Sequence, residues 1–278
     1  MKTAPVNRII PMSLVDGPGC RTAVFLQGCN IACGYCHNPE TQKLCCGCGL
    51  CVDQCPAGAL SMTEGGGVHW EEDRCTGCDH CLAVCPNWAS PKVTVLGADE
   101  VFQRIQKNQP FIRGITVSGG ECSLYPEFLT ELFTLARKAG LTCLMDSNGM
   151  VDLSSYPELL EVCDGVMLDV KSWDPALYRK LTGGENRIVL ENLDLLAAKG
   201  LLQEVRIVCK QGVIDAEAAI CGIADRLDRE LDFRLKLIAF RPYGVKGWMQ
   251  GMEPPSGAYL EELKVLAKAH GFWDIVIT

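Results

Sequence analysis

Over most of the chain, apolar residues fall into short runs separated by polar stretches with helical spacing. Thr22 to Leu26 is the first run; Ile115 to Ser118, Leu141 to Met145, Val166 to Val170, Glu204 to Val208, Leu235 to Ala239 and Ile275 to Ile277 follow as strand candidates. Amphipathic segments lie between them. Pro126 to Lys138 gathers Phe128, Leu129, Leu132, Phe133 and Leu135 and stops at Gly140, and Asn192 to Lys199 closes the same way on Gly200. Strands alternating with helices predict an α/β fold with a parallel sheet. About six strand–helix units fit a partial (β/α)6 barrel better than a full eight-unit barrel, for which the chain is short. One stretch breaks the pattern: from residue 40 to 90 neither period is evident and cysteines crowd. It reads as an insert, with residues 1–39 and 91–278 forming the barrel.

Composition sharpens this picture. A chain of 278 residues can bury a substantial core, so its 18 cysteines are not needed as staples, and their crowding between Cys29 and Cys85 points to inorganic chemistry. Met1 to Met12 has no apolar run of signal length, and no later stretch reaches membrane-spanning length without charges. A reducing cytoplasm and no membrane association are expected. The net charge of -8 argues against nucleic acid, and thiolate-bound clusters would add negative charge, so the partner is expected to be a protein or a small molecule.

Cys29, Cys33 and Cys36 lie on the loop directly after the first strand, spaced x3 and then x2. Three thiolates hold three corners of a 4Fe-4S cluster and leave one iron open to bind a substrate. A structural zinc knot is the alternative, but it wants four ligands, and only His37 stands near enough in sequence to serve. The spacing, with aromatic Tyr35 before the last cysteine, resembles the signature of the radical S-adenosylmethionine (SAM) superfamily. The resemblance implies that the open iron chelates the amino and carboxylate groups of SAM, and that an electron from the cluster cleaves the sulfonium to a 5'-deoxyadenosyl radical.

Further motifs narrow the resemblance. Asp16-Gly17-Pro18-Gly19, Cys36-His37-Asn38-Pro39 and Ser118-Gly119-Gly120-Glu121 resemble the activating enzymes of glycyl radical enzymes, and Ile9-Ile10-Pro11, Val15 to Gly19, Phe25 to Asn30, Gly114 to Glu121 and Leu144 to Met150 look closest to their YjjW type. Glycines 119 and 120 let the backbone approach a ligand closely, and Glu121 can accept a hydrogen bond from the methionine ammonium. Tyr35 and His37 are implied on the adenine side. Asp146-Ser147-Asn148 and Met167-Leu168-Asp169 stand at strand ends on the face where such barrels act. In the family, positions matching Asp146, Ser147, Met167 and Asp169 form a monovalent-cation site against the SAM carboxylate, with Met167 offering its backbone carbonyl. Lys171 and Arg206 resemble basic residues near the bound cofactor, and Asp16 lies in the loop that contacts the peptide substrate. One position departs: Arg241 stands where pyruvate formate-lyase activase has a histidine, and an arginine cannot act as a neutral acceptor.

The insert holds two copies of the bacterial ferredoxin pattern, Cys45-x2-Cys48-x2-Cys51-x3-Cys55-Pro56 and Cys75-x2-Cys78-x2-Cys81-x3-Cys85-Pro86. In such pairs the fourth cysteine of each run serves the other cluster. Cys45, Cys48, Cys51 and Cys85 are therefore assigned to one 4Fe-4S cluster, and Cys75, Cys78, Cys81 and Cys55 to the second. Fully ligated clusters suit electron relay, although a structural or docking role stays open. Cys46 is a spare beside Cys45, and His69 and His80 lack catalytic spacing.

The resemblance implies an oxidoreductase, acting as a monomer, that takes a Cα hydrogen from a glycine of a partner enzyme and receives its electron from a flavodoxin or ferredoxin type donor. Two other readings stay open: a radical SAM enzyme acting on a small molecule, and an electron-transfer protein whose barrel only binds. Anaerobic metal analysis separates these cluster readings from zinc: three cubic clusters require about twelve irons per chain, whereas structural zinc sites would show zinc with little iron.

Overall fold

The computed structural model describes residues 2–227, 232–245 and 247–278. Strand β1 (Thr3–Ser13) folds back antiparallel onto β2 (Arg21–Leu26). Within the insert, β3 (Leu60–Met62) and β4 (Val68–Trp70) form a separate two-stranded antiparallel sheet, and β5 (Thr94–Gly97) returns to the other edge of β1. Then β6 (Gly114–Gly119), β7 (Thr142–Ser147), β8 (Gly165–Asp169), β9 (Leu202–Cys209), β10 (Arg234–Ala239) and β11 (Ile275–Ile277) add one beside the next, all parallel, with β6 paired to β2. The main sheet runs β11-β10-β9-β8-β7-β6-β2-β1-β5. The helices are α1 (His80–Ala83) in the insert, then α2 (Ala98–Gln106), α3 (Pro126–Lys138), α4 (Pro157–Val162), α5 (Pro175–Thr182), α6 (Arg187–Ala198), α7 (Ala216–Arg226) and α8 (Gly257–Ala269).

The parallel strands are nearly continuous apolar runs because helices cover one face and the folded sheet encloses the other. Their period-2 alternation sorts chemistry by face. Ile115, Val117, Cys143, Met145, Val166, Leu168, Val205, Ile207, Leu235 and Leu237 join the main core with the helices. Their neighbours Thr116, Ser118, Asp146, Met167, Asp169, Glu204 and Arg206 fall on the opposite face, where register aligns Asp146 with Met167 and Asp169 with Arg206. A smaller apolar cluster of Tyr35, Leu181, Val208, Ile214, Phe240, Val245 and Met249 packs around Tyr35 of the cysteine loop.

Strands β2, β6, β8, β9 and β10 fall within two residues of the apolar runs, and α3 matches its expected bounds. Strands β1 and β5 were not anticipated. Strand β1 is half exposed, carries Pro5 and Pro11 and has two register shifts, so it lacks a clean alternation. Helix α6 begins five residues earlier than expected, because Ile188 and Val189 are β-branched and read as poor helix formers. Its buried Asn192 donates to the carbonyls of Gly149 and Val151 and accepts from Leu153, tying the loop after β7 to the helix.

Arg21 anchors the N-terminal ends of the strands. It is 1% exposed, and its guanidinium donates to Thr116 Oγ1 at 2.8 Å, Thr142 Oγ1 at 3.0 Å and the carbonyls of Ile115 at 2.6 Å and Thr142 at 2.9 Å. Burial lowers its pKa to about 10, still charged at neutral pH. Thr116 in turn donates to the Asp16 carbonyl at 2.5 Å, which draws the Asp16 loop against the strand ends. Gly17 sits there at φ +118°, and a Cβ would lie 2.9 Å from Leu144. Replacing Arg21 by Met leaves several buried acceptors unpaired. The substitution should lower unfolding free energy by about 2–4 kcal/mol, measured by denaturant titration.

Candidate functional site

The loop after β2 is pinned from two sides. Gly28 and Cys29 donate their N–H groups to the carbonyls of Thr41 and Gln42, each at 2.8 Å. Ala32 and Gly34, flanking Cys33, donate to Thr182 and Leu181 at the end of α5, at 2.8 and 2.9 Å. Helix α5 holds that position through its Asp174 cap, which accepts from Leu177 N–H, and through Gly183 in the left-handed region at its end. Cys29, Cys33 and Cys36 thereby line one half-open cavity of about 800 Å³, shared with Tyr35, His37, Ser118, Gly119, Gly120, Glu121, Asp146, Ser147, Asn148, Asp169, Lys171 and Arg206. Burial pushes the Cys29 thiol up to about 11 and Cys33 up to about 12, and it raises Cys36 too. Such thiols stay protonated until a cation compensates the thiolate charge.

Glycines 119 and 120 are required by contact. A Cβ on Gly119 would lie 2.1 Å from the Leu26 oxygen, and one on Gly120 would lie 2.2 Å from the Gly28 oxygen. Without side chains, Gly120 N–H reaches Leu26 O at 2.9 Å and Glu121 N–H reaches Gly28 O at 2.8 Å. Glu121 is thus carried beneath the cysteine loop. Its Oε1 accepts from Ser123 N–H at 3.0 Å, Ser123 Oγ at 2.6 Å and Ser147 Oγ at 2.8 Å, while Oε2 accepts only Asn148 N–H at 2.7 Å. Oε2 keeps capacity for one more donor. Burial still raises the Glu121 pKa despite these bonds. Asn148 uses its amide on the cysteine loop, donating to Asn30 Oδ1 at 2.9 Å and to Cys29 Sγ at 3.5 Å.

Three carboxylates of the wall each face a cation. Arg206 lies 2.8 Å from Asp146 and 2.6 Å from Glu204, and donates to the Met167 sulfur at 3.0 Å. Ser118 Oγ adds a bond to Asp146 at 2.8 Å. Lys171 pairs with Asp169 at 2.8 Å and sits 5.8 Å from the Tyr35 ring centre. Burial alone would lower the pKa values of both cations; Asp146 and Glu204 raise that of Arg206, and Asp169 raises that of Lys171, so both remain charged. Of the four residues read as a cation site, Asp146 and Asp169 face fixed cations of the chain, Ser147 turns its hydroxyl to Glu121, and Met167 meets Arg206 through sulfur. Among the described residues no three His, Cys, Asp or Glu side chains converge as a single metal ion would require. A cubic cluster spreads its ligands wider than one ion does.

His37 lines the cavity, and burial together with Lys171 and Arg241 lowers its pKa, favouring the neutral ring. Asp16 is not among the residues lining the cavity; its carboxylate accepts from Ser13 Oγ at 2.5 Å. Ile31, Gln42, Val208 and Ile238 complete the wall and were not singled out as site residues in the sequence; Asn38 joins them from the Cys36-His37-Asn38-Pro39 motif. No motif marks Gln42, whose backbone carbonyl accepts from Cys29 N–H and whose side-chain Nε2 donates a hydrogen bond to Cys33 O at 3.3 Å.

In the insert, Cys45, Cys48, Cys51 and Cys85 line one cavity of about 330 Å³, together with Cys46; Cys55, Cys75, Cys78 and Cys81 line another of about 330 Å³. Each cavity takes its fourth run cysteine from the other run. Gly47, Gly49 and Gly77 turn there at φ +71°, +77° and +70°. His69 and His80 are exposed.

The donor set and cavity fit a three-thiolate cluster beside a sulfonium amino acid: three thiols, a spare acceptor position on Glu121 and a side-chain-free glycine ledge line one cavity. The model of the radical SAM superfamily matches residues 23–220. The indoleacetate decarboxylase activating enzyme of Tractidigestivibacter scatoligenes is 30% identical, over 98% of this chain and 97% of its own length. The isethionate sulfite-lyase activating enzyme of Nitratidesulfovibrio vulgaris is 31% identical, over 84% of this chain and 83% of its own. Among solved structures, QueE from Escherichia coli shares the fold, with a TM-score of 0.54 at 15% identity across 99% of this chain and 94% of that one. The chain belongs to the radical SAM superfamily and, within it, to the activating enzymes of glycyl radical enzymes.

Proposed function

We propose that the chain activates a glycyl radical enzyme by forming a radical on one glycine of that partner, using a 4Fe-4S cluster held by Cys29, Cys33 and Cys36 and SAM bound beside it. One observation carries the reading: the three thiols share a cavity wall with the Gly119–Gly120 ledge and Glu121. The bound pair supplies one-electron cleavage of the sulfonium and abstraction of a hydrogen atom. The chain's residues bind, orient and shield. Glu121 Oε2 has a free acceptor site for the methionine ammonium, and Lys171 and Arg206 bring positive charge toward the carboxylate. Tyr35 and His37 flank the adenine side, and the neutral His37 ring avoids charge repulsion with the sulfonium. The apolar cluster around Tyr35 keeps water from the thiols, favouring radical chemistry over quenching.

The insert, residues 40–90, carries two further 4Fe-4S clusters in this reading, ligated by Cys45, Cys48, Cys51 and Cys85 and by Cys55, Cys75, Cys78 and Cys81. Two thiol-lined cavities, each holding the four cysteines of one proposed set and each crossed by a cysteine of the other run, support it; Cys46 also lines the first. Their role is to pass electrons from a flavodoxin or ferredoxin type donor. The carboxylates expected to hold a monovalent cation, Asp146 and Asp169, are already paired with Arg206 and Lys171. The partner substrate is a glycine-bearing peptide loop, with Asp16 beside its path. Two relatives of nearly equal identity are named for different partner enzymes, so the fold accommodates several partner loops.

The test is anaerobic incubation of the iron-loaded chain with reductant, SAM and a candidate partner. The expected result is a carbon-centred doublet by electron paramagnetic resonance, abolished by Cys33→Ala. Intact clusters without a doublet exclude that partner, and 5'-deoxyadenosine release driven by a small molecule alone would move the assignment to small-molecule chemistry. Glu121→Gln should weaken SAM binding about 10–100-fold, the ~1.5–3 kcal/mol of a charged hydrogen bond, with the cluster spectrum retained.

A further inference from the structure

Gln27 is a fully buried polar side chain just before the cysteine loop. Its Nε2 donates to the carbonyls of Glu40 and Lys43, each at 2.7 Å, and its Oε1 accepts from Asn7 Nδ2 at 2.8 Å. What it clamps is the start of the cysteine-rich segment. Between those two carbonyls stand Thr41 and Gln42, whose own carbonyls accept the N–H groups of Gly28 and Cys29 at 2.8 Å. The first residues of the segment are thus laid against the end of β2 that carries the cysteine trio.

The clamp ties one of the two insert cavities to the trio. Cys45 follows Gln42 by three residues, a reach of at most ~11 Å between their Cα atoms. It therefore stays close to Cys29 whatever the bends between. From the other end of the segment, Ala89 lines the cavity of Cys45, Cys48, Cys51 and Cys85, and Ser90 beside it donates its N–H to the Glu40 carbonyl at 3.2 Å. That cavity is held against the cysteine loop from both sides. The cavity of Cys55, Cys75, Cys78 and Cys81 is tied more loosely. Cys75 and Cys78 share with His37 and Asn38 an open groove of about 1790 Å³, and the polar tie here is the ion pair of Asp79 with the tip of the long Lys92 side chain. Its short links lead to the first cavity instead: Cys55 lies four residues from Cys51, and Cys81 four from Cys85. Electrons tunnel more readily along covalent and hydrogen bonds than across open solvent. The bonded order is second cavity, first cavity, Cys29.

We propose that Cys45, Cys48, Cys51 and Cys85 hold the nearest neighbour and immediate electron donor of the cluster on Cys29, Cys33 and Cys36, with the Gln42–Cys29 contact as the bridge. Cys55, Cys75, Cys78 and Cys81 hold the cluster one step further out. This rests on the reading that the trio and the segment of residues 40–90 bind 4Fe-4S clusters. The step moves one electron: the insert cluster is oxidised by one unit, the trio's cluster is reduced by one, and no bond to the chain forms or breaks. The reductant that refills the insert is the flavodoxin or ferredoxin type donor. Gln27 is a positioning residue, because it fixes residues 40–43 and touches no cluster ligand.

The experiment is electron paramagnetic resonance on the iron-loaded, fully reduced protein, in which neighbouring reduced clusters split and broaden each other's signals. The trio's signal is the one that changes on adding SAM. Cys48→Ala/Cys51→Ala removes ligands of the first set alone, and Cys75→Ala/Cys78→Ala those of the second; each variant should keep about eight of twelve irons. The trio's signal should stay split in Cys75→Ala/Cys78→Ala and lose its splitting in Cys48→Ala/Cys51→Ala. The reverse pattern, equal splitting in both variants, or no splitting in the parent protein overturns the assignment. Where a double variant loses a further cluster, Cys48→Ser and Cys78→Ser take its place, since serine can remain a ligand while shifting the signal of its own set. The component split with the trio's should then be the one moved by Cys48→Ser; movement by Cys78→Ser overturns the order. A parent protein without a SAM-responsive signal defeats the reading of the trio itself, and one holding only about four irons defeats the reading of the insert. With both present, the splitting pattern decides this assignment alone.

Discussion

The site depends on the backbone contact between the ends of β2 and β6. Gly119 and Gly120 let the two strands meet so closely that Leu26 and Gly28 carbonyls accept N–H groups from Gly120 and Glu121. That contact places a buried carboxylate under the cysteine loop. Glu121 then gathers Ser123, Ser147 and the Asn148 backbone, and Asn148 reaches back to Asn30 and Cys29. Three chain segments that are distant in sequence become one rigid wall. A methyl group on either glycine would separate the strands and dissolve the network from its first link.

Electrostatics explain why the wall tolerates so much buried charge. Asp146 and Glu204 share Arg206, with Arg234 4.0 Å from Glu204, and Asp169 pairs with Lys171, so each of these carboxylates has a cation beside it. An isolated ion at this depth would neutralise itself, whereas paired ions persist and keep a directed field in the cavity. The thiols lack such partners, and burial holds their pKa values high. They therefore act as ligands only together with a cation strong enough to replace the proton.

The segment of residues 40–90 follows a different logic from the main sheet and its helices. It has little regular structure: a short hairpin, one helical turn and glycine-rich bends around two thiol-lined cavities. Such a segment has few apolar side chains to bury, so in the cluster reading metal ligation supplies the cross-links that a core supplies elsewhere. The exchange of Cys55 and Cys85 between the cavities joins its two halves into one unit.

Local patterns in the sequence determined a good deal. Helix α3 and the parallel strands follow from apolar periodicity, because burial of those faces is repeated at every turn or every second residue. The cysteine trio, Ser118-Gly119-Gly120-Glu121 and Asp146-Ser147-Asn148 were legible because each motif lies within a few consecutive residues at a strand end. Only the tertiary structure brought Asn148 to Cys29, Arg206 between Asp146 and Glu204, and Gln42 under the cysteine loop. Their partners come from other strands and helices, and the contacts depend on register and on the Gly119–Gly120 approach. Strand β1 was hidden for a related reason: its half-exposed, proline-bearing sequence becomes a strand by pairing with β2 and β5, and pairing is a property of the folded chain.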